Sequence, residues 1–228
     1  MAIARTPEEE QAVKDSLIAI CAEVFLRDGY SNVTMKSLSE EAGCTTGKFY
    51  SNFTGKPEIL RILIGKLVRL NYSEAEKLMT KDDVPMMQMI YFFLLEYEIC
   101  HVNDKLCELF YYAYEDSACV KDIAEQMKEK LGTLLAESYG TKESDEVLMA
   151  KSAMNFNILR SIIVGERNGY GFGDEKKQIM TLADTIMAST GIDGKNAAKV
   201  RAQIEKQMPA FRDATYNLII RILQKGLD

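Results

Sequence analysis

Apolar side chains recur three and four positions apart along nearly the whole chain, while the strict alternation of a half-buried strand is almost absent. Only four prolines punctuate 228 residues. A chain with that period buries its apolar stripes by packing helix on helix, so the expected fold is all-α. The first helix is read over about 8–27, with Val13, Leu17, Ile20, Cys21, Val24 and Phe25 inward and Gly29 as its stop. Two short helices follow, one after Thr34 and one carrying Phe49 and Phe53. A fourth starts near Thr54-Gly55, with Pro57 in its first turn, and runs past Leu70. Longer helices are expected near 84–102, 104–115, 118–139, 144–168, 174–190 and 196–226, with a glycine-rich break over 169–173.

Charge is unevenly spread. The chain carries −6 overall. Residues 31–72 carry +3, from Lys36, Lys48, Lys56, Arg61, Lys66 and Arg69 against Glu40, Glu41 and Glu58. A cationic end on an acidic body suits docking on phosphates through that end. Five cysteines without a CxxC pair point to a reducing compartment rather than a disulfide scaffold. No charged and then apolar leader opens the chain, and the apolar run around Val84–Leu95, broken by Gln88, is too short to span a bilayer. A cytoplasmic protein with no membrane partner is therefore expected.

The informative segment is Thr34-Met-Lys-Ser-Leu-Ser-Glu-Glu-Ala-Gly-Cys-Thr-Thr-Gly-Lys-Phe-Tyr-Ser-Asn-Phe53. Two short helices joined by a tight glycine-containing turn make a helix-turn-helix. Phe49 and Phe53, four apart, pin the second helix. Its other side holds Gly47 and Ser51, flanked by Lys48 and Tyr50. Thr45 and Thr46 open that helix, where side chains reach base edges; Lys48, Tyr50 and Lys56 suit phosphates.

Over residues 17–60 the chain resembles the TetR/AcrR family of bacterial repressors. The resemblance rests on a phenylalanine before Gly29-Tyr30, Thr34-Met35 entering the second helix, the Ala42-Gly43 turn, Gly47-Lys-Phe-Tyr50 and Asn52-Phe53. Two departures stand out: Gly55 replaces a serine-like cap, and the acid falls at Glu58. The resemblance implies an N-terminal three-helix DNA-binding domain over 1–55. A larger ligand-binding and dimerisation domain would follow over 56–228, with the helix near 56–72 joining them. By the same resemblance Thr34, Lys36, Thr45, Thr46, Gly47, Lys48, Tyr50, Ser51 and Lys56 take the DNA-contacting places on a double-stranded operator.

Met- and aromatic-rich helices over 84–115 suit either a core or an adaptable apolar pocket. The resemblance implies an inducer cavity there, with Met89, Phe92, Phe93, Tyr97, Tyr111, Tyr112 and Met154 as candidate lining. Glu96, Glu98, Glu108 and Glu115 read either as the solvated face of their helices or as a preference for a cationic effector. The last helix carries Val200, Ile204, Met208, Phe211, Thr215, Leu218 and Ile222 in near-heptad steps. That rhythm fits packing within the chain or a seam with a second copy. By resemblance the helices near 144–168 and 196–226 form a homodimer interface, with Met154, Ile158, Ile162, Phe211, Thr215, Leu218 and Ile222 in it.

Glu98-Ile-Cys-His101 has the ExxH spacing of a di-iron helix, but His101 is the only histidine and such a site needs two. Cys100, His101 and Cys107 lack a recognised metal-ligand spacing. Neither a cofactor nor a metal is called for, and no catalytic constellation is present. The expected function is a ligand-responsive repressor that binds a palindromic operator as a homodimer and is released by a small apolar or amphipathic effector. The alternative is a small-molecule-binding helical protein without operator binding.

Overall fold

The structure, a computed structural model, describes residues 6–170, 173–192 and 194–225. Among the described residues it contains ten helices and no strand. They are α1 (Pro7–Asp28), α2 (Met35–Glu41), α3 (Thr46–Tyr50), α4 (Lys56–Lys77) and α5 (Met87–Val102), followed by α6 (Asp104–Glu115), α7 (Ser117–Tyr139), α8 (Asp145–Arg167), α9 (Glu175–Thr190) and α10 (Gly194–Lys225). Each lies within a few residues of its expected place. Gly171 and Phe172 of the expected break fall outside the described residues.

The helix starts are set by local chemistry. The Thr6 side chain accepts from the Glu9 amide and the Glu9 carboxylate answers to Thr6, which starts α1. Thr34 and Ser37 make the same reciprocal pair at α2. Asn103, Asp116, Ser144 and Asp174 cap α6, α7, α8 and α9. Gly55 gives α4 no side-chain cap. Glu58 meets that need from inside the helix, its carboxylate accepting from the Thr54 amide at 2.7 Å and the Thr54 hydroxyl at 2.9 Å.

α5 is the axis of the larger part of the molecule. All residues from Met89 to Cys100 are buried, because α4, α6, α8, α9 and α10 surround it. A helix enclosed on all sides must be apolar all round. Phe92, Phe93 and Phe156 stack edge to face, with centroids 4.8–6.0 Å apart. Tyr91 meets Phe211 of α10 in the same way at 5.0 Å. α7 and α8 pack closely at Gly132, where a Cβ would come within 2.9 Å of Leu148 Cδ1. By length and composition α8 is apolar enough to cross a membrane. Here it lies against α7, α9 and α6.

The near-heptad face of α10 is an internal seam. Val200, Ile204, Phe211, Thr215, Leu218 and Ile222 are buried within this chain, where α10 packs on α5, α9 and α4. Phe211, Thr215, Leu218 and Ile222 therefore have no surface left for a second copy, and neither does Ile162 of α8. This corrects the expected dimer set: a 3–4 rhythm marks a helix–helix contact without saying whose helix is the partner. Of that set, Met154 is 56% exposed and Ile158 half-buried.

Three acids also depart from expectation. Glu96, Glu98 and Glu108 are buried rather than solvated. Only Glu115 is exposed, paired with Arg160 at 2.6 Å. Tyr114 of α6 donates to Glu96 Oε1, while Glu96 Oε2 and Asn71 Oδ1 of α4 have no partner. Burial pushes the Glu96 carboxyl up to about 8, against the bond from Tyr114.

Candidate nucleic-acid interface

α1 and α4 form the base on which α2 and α3 sit. Phe49 and Phe53 face inward, fully buried, with ring centroids 5.3 Å apart. That pair decides which side of α3 is left to solvent. The turn between α2 and α3 passes through Gly43 at φ +61°, a left-handed conformation that favours glycine. The Thr45 side chain caps α3 by accepting from the Lys48 amide. Thr46 Oγ1 lies 3.1 Å from Ser39 Oγ and ties α3 to α2.

The outward side of α3 presents Gly47, Lys48, Tyr50 and Ser51, all exposed. Tyr50 is 51% exposed. Nothing lies within 4 Å of where a Gly47 Cβ would stand. Glycine there keeps the backbone open to approach rather than relieving an internal clash. Ser51 donates to the Lys48 carbonyl at 2.7 Å, and its hydroxyl oxygen accepts a long bond from Asn52 Nδ2 at 3.4 Å. Thr34 and Lys36, at the start of α2, and Thr45 and Thr46, at the start of α3, are also exposed. Eight of the nine expected positions thus share one surface of the α2–α3 unit.

Lys56 does not. Its ammonium donates to the Tyr30 carbonyl at 2.8 Å and the Val33 carbonyl at 2.9 Å, and it lies over the Tyr30 ring. Burial draws its pKa down. Lys56 is a strut that closes the turn between α1 and α2. The sequence shows a lysine at the right place in the motif; only the packing of α4 against that turn shows which way the side chain runs.

The cationic excess of residues 31–72 is likewise spread over several surfaces. Arg69 donates to Gln126, Lys66 lies 4.0 Å from Asp15, and Arg61 is half-buried near Cys119. Lys36 and Lys48 remain on the α2–α3 face, Lys36 at 3.8 Å from Glu40 in an exposed, weak pair. Lys14 of α1 borders a groove with Lys48, Ser51 and Asn52, although it also pairs with Glu58 at 3.1 Å.

The sequence reading missed how this unit is held to the rest of the chain. Glu108 Oε1 of α6 accepts from the Ser31 amide at 3.2 Å and the Ser31 hydroxyl at 2.5 Å. Burial opposes its charge, but those two bonds and nearby Lys105 hold the carboxyl below the usual glutamate range. Gly29, at φ +89°, leaves the room: a Cβ there would stand 2.7 Å from Glu108 Oε2 and 2.9 Å from Lys105 Nζ. Tyr112 of α6 packs against Tyr30, ring centroids 5.0 Å apart and tilted by 43°. No local pattern signals a contact between residues 31 and 108.

Of the expected pocket residues, Met89, Phe92, Phe93 and Tyr97 are in the packed core around α5. Tyr97 donates to Gln178 of α9 at 2.9 Å. Tyr111 and Tyr112 are half-buried at the α6 surface, Tyr111 beneath the Arg167 guanidinium. Met154, on α8, is exposed to solvent rather than gathered with this group. Among the described residues no group of three His, Cys, Asp or Glu side chains is placed to hold a metal.

Residues 17–62 match the family model "Bacterial regulatory proteins, tetR family". The chain is similar to the HTH-type transcriptional regulators TtgR and SrpR of Pseudomonas putida. Identity to TtgR is 28% over 82 residues, which is 36% of this chain and 39% of the relative. Identity to SrpR is 32% over 60 residues, 26% of this chain and 28% of the relative. The matched stretches thus span well under half the length of these relatives. Among solved structures, AmtR of Mycobacterium smegmatis aligns at 15% identity and a TM-score of 0.43, over 89% of this chain and 96% of that one. The ketosteroid transcriptional regulator KstR2 of Mycobacterium tuberculosis aligns at 15% identity and a TM-score of 0.37, over 78% and 93%. The surface built from Thr34 to Ser51 lies wholly within the matched residues, and the N-terminal unit of this chain is a helix-turn-helix that matches the family model of the TetR regulators.

Proposed function

We propose that the chain is a ligand-responsive transcriptional repressor that binds a palindromic operator as a homodimer and lets go when a small apolar or amphipathic effector binds. The observation that carries this reading is the outward face of α3, where Gly47, Lys48, Tyr50 and Ser51 stand exposed beside Thr45 and Thr46. Phe49 and Phe53 lock that face outward. A helix presenting small and polar groups at its start, with cations and a tyrosine at its flanks, fits a major groove. In this reading Thr46 and Ser51 meet base edges, while Lys48 and Tyr50 meet phosphates. The division near residue 55 separates DNA reading from effector binding.

The dimer contact is assigned to the outer face of α8, through Val147, Met154 and Ile158. Val147 and Met154 are 38% and 56% exposed, on a helix that is apolar by composition. An exposed apolar helix face of this kind is a normal signature of a partner surface. The effector acts through α4, which carries the DNA-binding base at one end and packs on α5 and α7 along its length.

The test is selection of binding sequences from random duplex DNA with the purified full chain, followed by footprinting. The expected product is an inverted repeat with half-sites about one or more helical turns apart. Recovery of a single unrepeated half-site bound by a monomer would overturn the dimeric reading. No enrichment at all would favour a small-molecule-binding protein without an operator.

A further inference from the structure

A cleft at the junction of α5 and α6 carries chemistry that DNA binding does not use. Cys100 lies near the end of α5 and Cys107 near the start of α6, on either side of the cap residue Asn103. Both thiols line one cleft of about 640 Å3, which also carries the cations Lys105 and Arg167 and the carboxylates Asp104, Glu108 and Glu166. The two thiols face each other closely enough that each alters the other's proton affinity, in opposite directions. Burial keeps Cys100 a thiol. The hydrogen bond from Cys100, with the Arg167 guanidinium beyond it, outweighs burial at Cys107 and lowers its pKa. Cys21 and Cys119, by contrast, are buried and pushed up to about 12. A partly accessible thiol of lowered pKa beside a second thiol is the arrangement that reacts reversibly with peroxides.

We propose that Cys100 and Cys107 form a hydroperoxide-reactive site, with Cys107 attacking and Cys100 resolving, and that closing the disulfide loosens the hold of α6 on the turn at Ser31. The Cys107 sulfur attacks one peroxide oxygen: an S–O bond forms, the O–O bond breaks, and the leaving hydroxide takes up a proton as water. The Cys100 sulfur then attacks Cys107: the S–S bond forms, the S–O bond breaks, and the departing hydroxide leaves as water with the Cys100 proton. Two thiols are oxidised by two electrons and one peroxide is reduced to two waters.

The mechanical consequence follows from bond length and position. Two unbonded thiols cannot approach as closely as the roughly 2.05 Å of a disulfide, so the first turn of α6 is drawn toward α5. Cys107 immediately precedes Glu108, whose carboxylate holds the Ser31 amide and hydroxyl. The displacement is therefore delivered to the bond between α6 and the DNA-binding unit. The proposal rests on the repressor reading only for its biological output, and its test uses no DNA.

The reduced full chain is treated with one to a few equivalents of hydrogen peroxide, mapped by non-reducing peptide mass spectrometry and followed by amide hydrogen exchange. The expected result is a Cys100–Cys107 disulfide, two mass units lighter and reversed by dithiothreitol, with exchange at the Ser31 amide several-fold faster. In Cys100→Ser, dimedone should trap a sulfenic acid on Cys107; in Cys107→Ser, Cys100 should stay unreacted. Cys100 and Cys107 staying reduced in the wild-type chain would overturn the proposal. So would a disulfide that leaves Ser31 exchange unaltered.

Discussion

Replacing Glu96 by glutamine should change the pH dependence of stability more than stability itself. The Glu96 side chain is fully buried between α4, α5 and α6. One oxygen accepts from Tyr114, while the other and Asn71 Oδ1 are unpartnered acceptors. Full burial penalises the charged carboxylate, so the folded chain holds its proton up to about pH 8, against an ordinary value of 4.5, even though the bond from Tyr114 favours the ionised form. Because the folded pKa is raised, the stabilisation is fully present below pH 4.5 and is lost as pH climbs through 8. At 1.36 kcal/mol per pKa unit, the shift spans about 5 kcal/mol, of which about 4 falls between pH 5 and pH 9. Glutamine is uncharged at every pH and keeps both an acceptor and a donor. Wild type should therefore lose about 4 kcal/mol relative to Glu96→Gln over that window, or roughly 8–16 °C in Tm for a chain of this size. Thermal denaturation of both proteins by circular dichroism at pH 5, 7 and 9 reads the difference directly, since every other titrating group is common to the two. A Tm difference that stays constant from pH 5 to pH 9 would refute the reasoning and mean that Glu96 is ionised in the fold.

Lys56→Ala removes two charge-assisted bonds to the Tyr30 and Val33 carbonyls and should cost about 1–3 kcal/mol of stability; Lys48→Ala should leave Tm unchanged, and equal effects of the two in thermal melts would contradict the strut. Tyr50→Ala should weaken binding to all duplexes alike, by roughly tenfold, while Ser51→Ala should alter the preferred bases; a selection experiment in which Tyr50→Ala changes the consensus would reverse those roles. Met154→Glu should shift the dimer toward folded monomer in sedimentation by placing a charge in an apolar contact. Leu218→Glu should instead lower Tm sharply, since that side chain is inside the protomer, and a stable monomeric Leu218→Glu protein would move the interface back to α10.

Much of this molecule was legible along the chain, because the determinants of helices are local. Caps at Thr34, Asn103 and Asp174 bond to amides three residues away, and apolar period decides which stripe of a helix is buried. The recognition helix was readable for the same reason: Phe49 and Phe53 are one turn apart, and their burial dictates that Gly47, Lys48, Tyr50 and Ser51 face out. What the residues alone could not decide is which surface meets which. The seam of α10 has the same rhythm whether its partner is α5 or another copy. A row of glutamates looks solvated until five helices close around Glu96 and Glu98. Lys56 reads as a phosphate ligand until the turn at Tyr30 offers it two carbonyls. The bond from Glu108 to Ser31 spans 77 positions and exists only because α6 comes to lie against the end of α1. Hydrophobic burial is non-directional and set by the whole assembly of helices, so the partners of α10, Glu96, Lys56 and Glu108 belong to the tertiary structure, while the helices and the recognition face belong to the sequence.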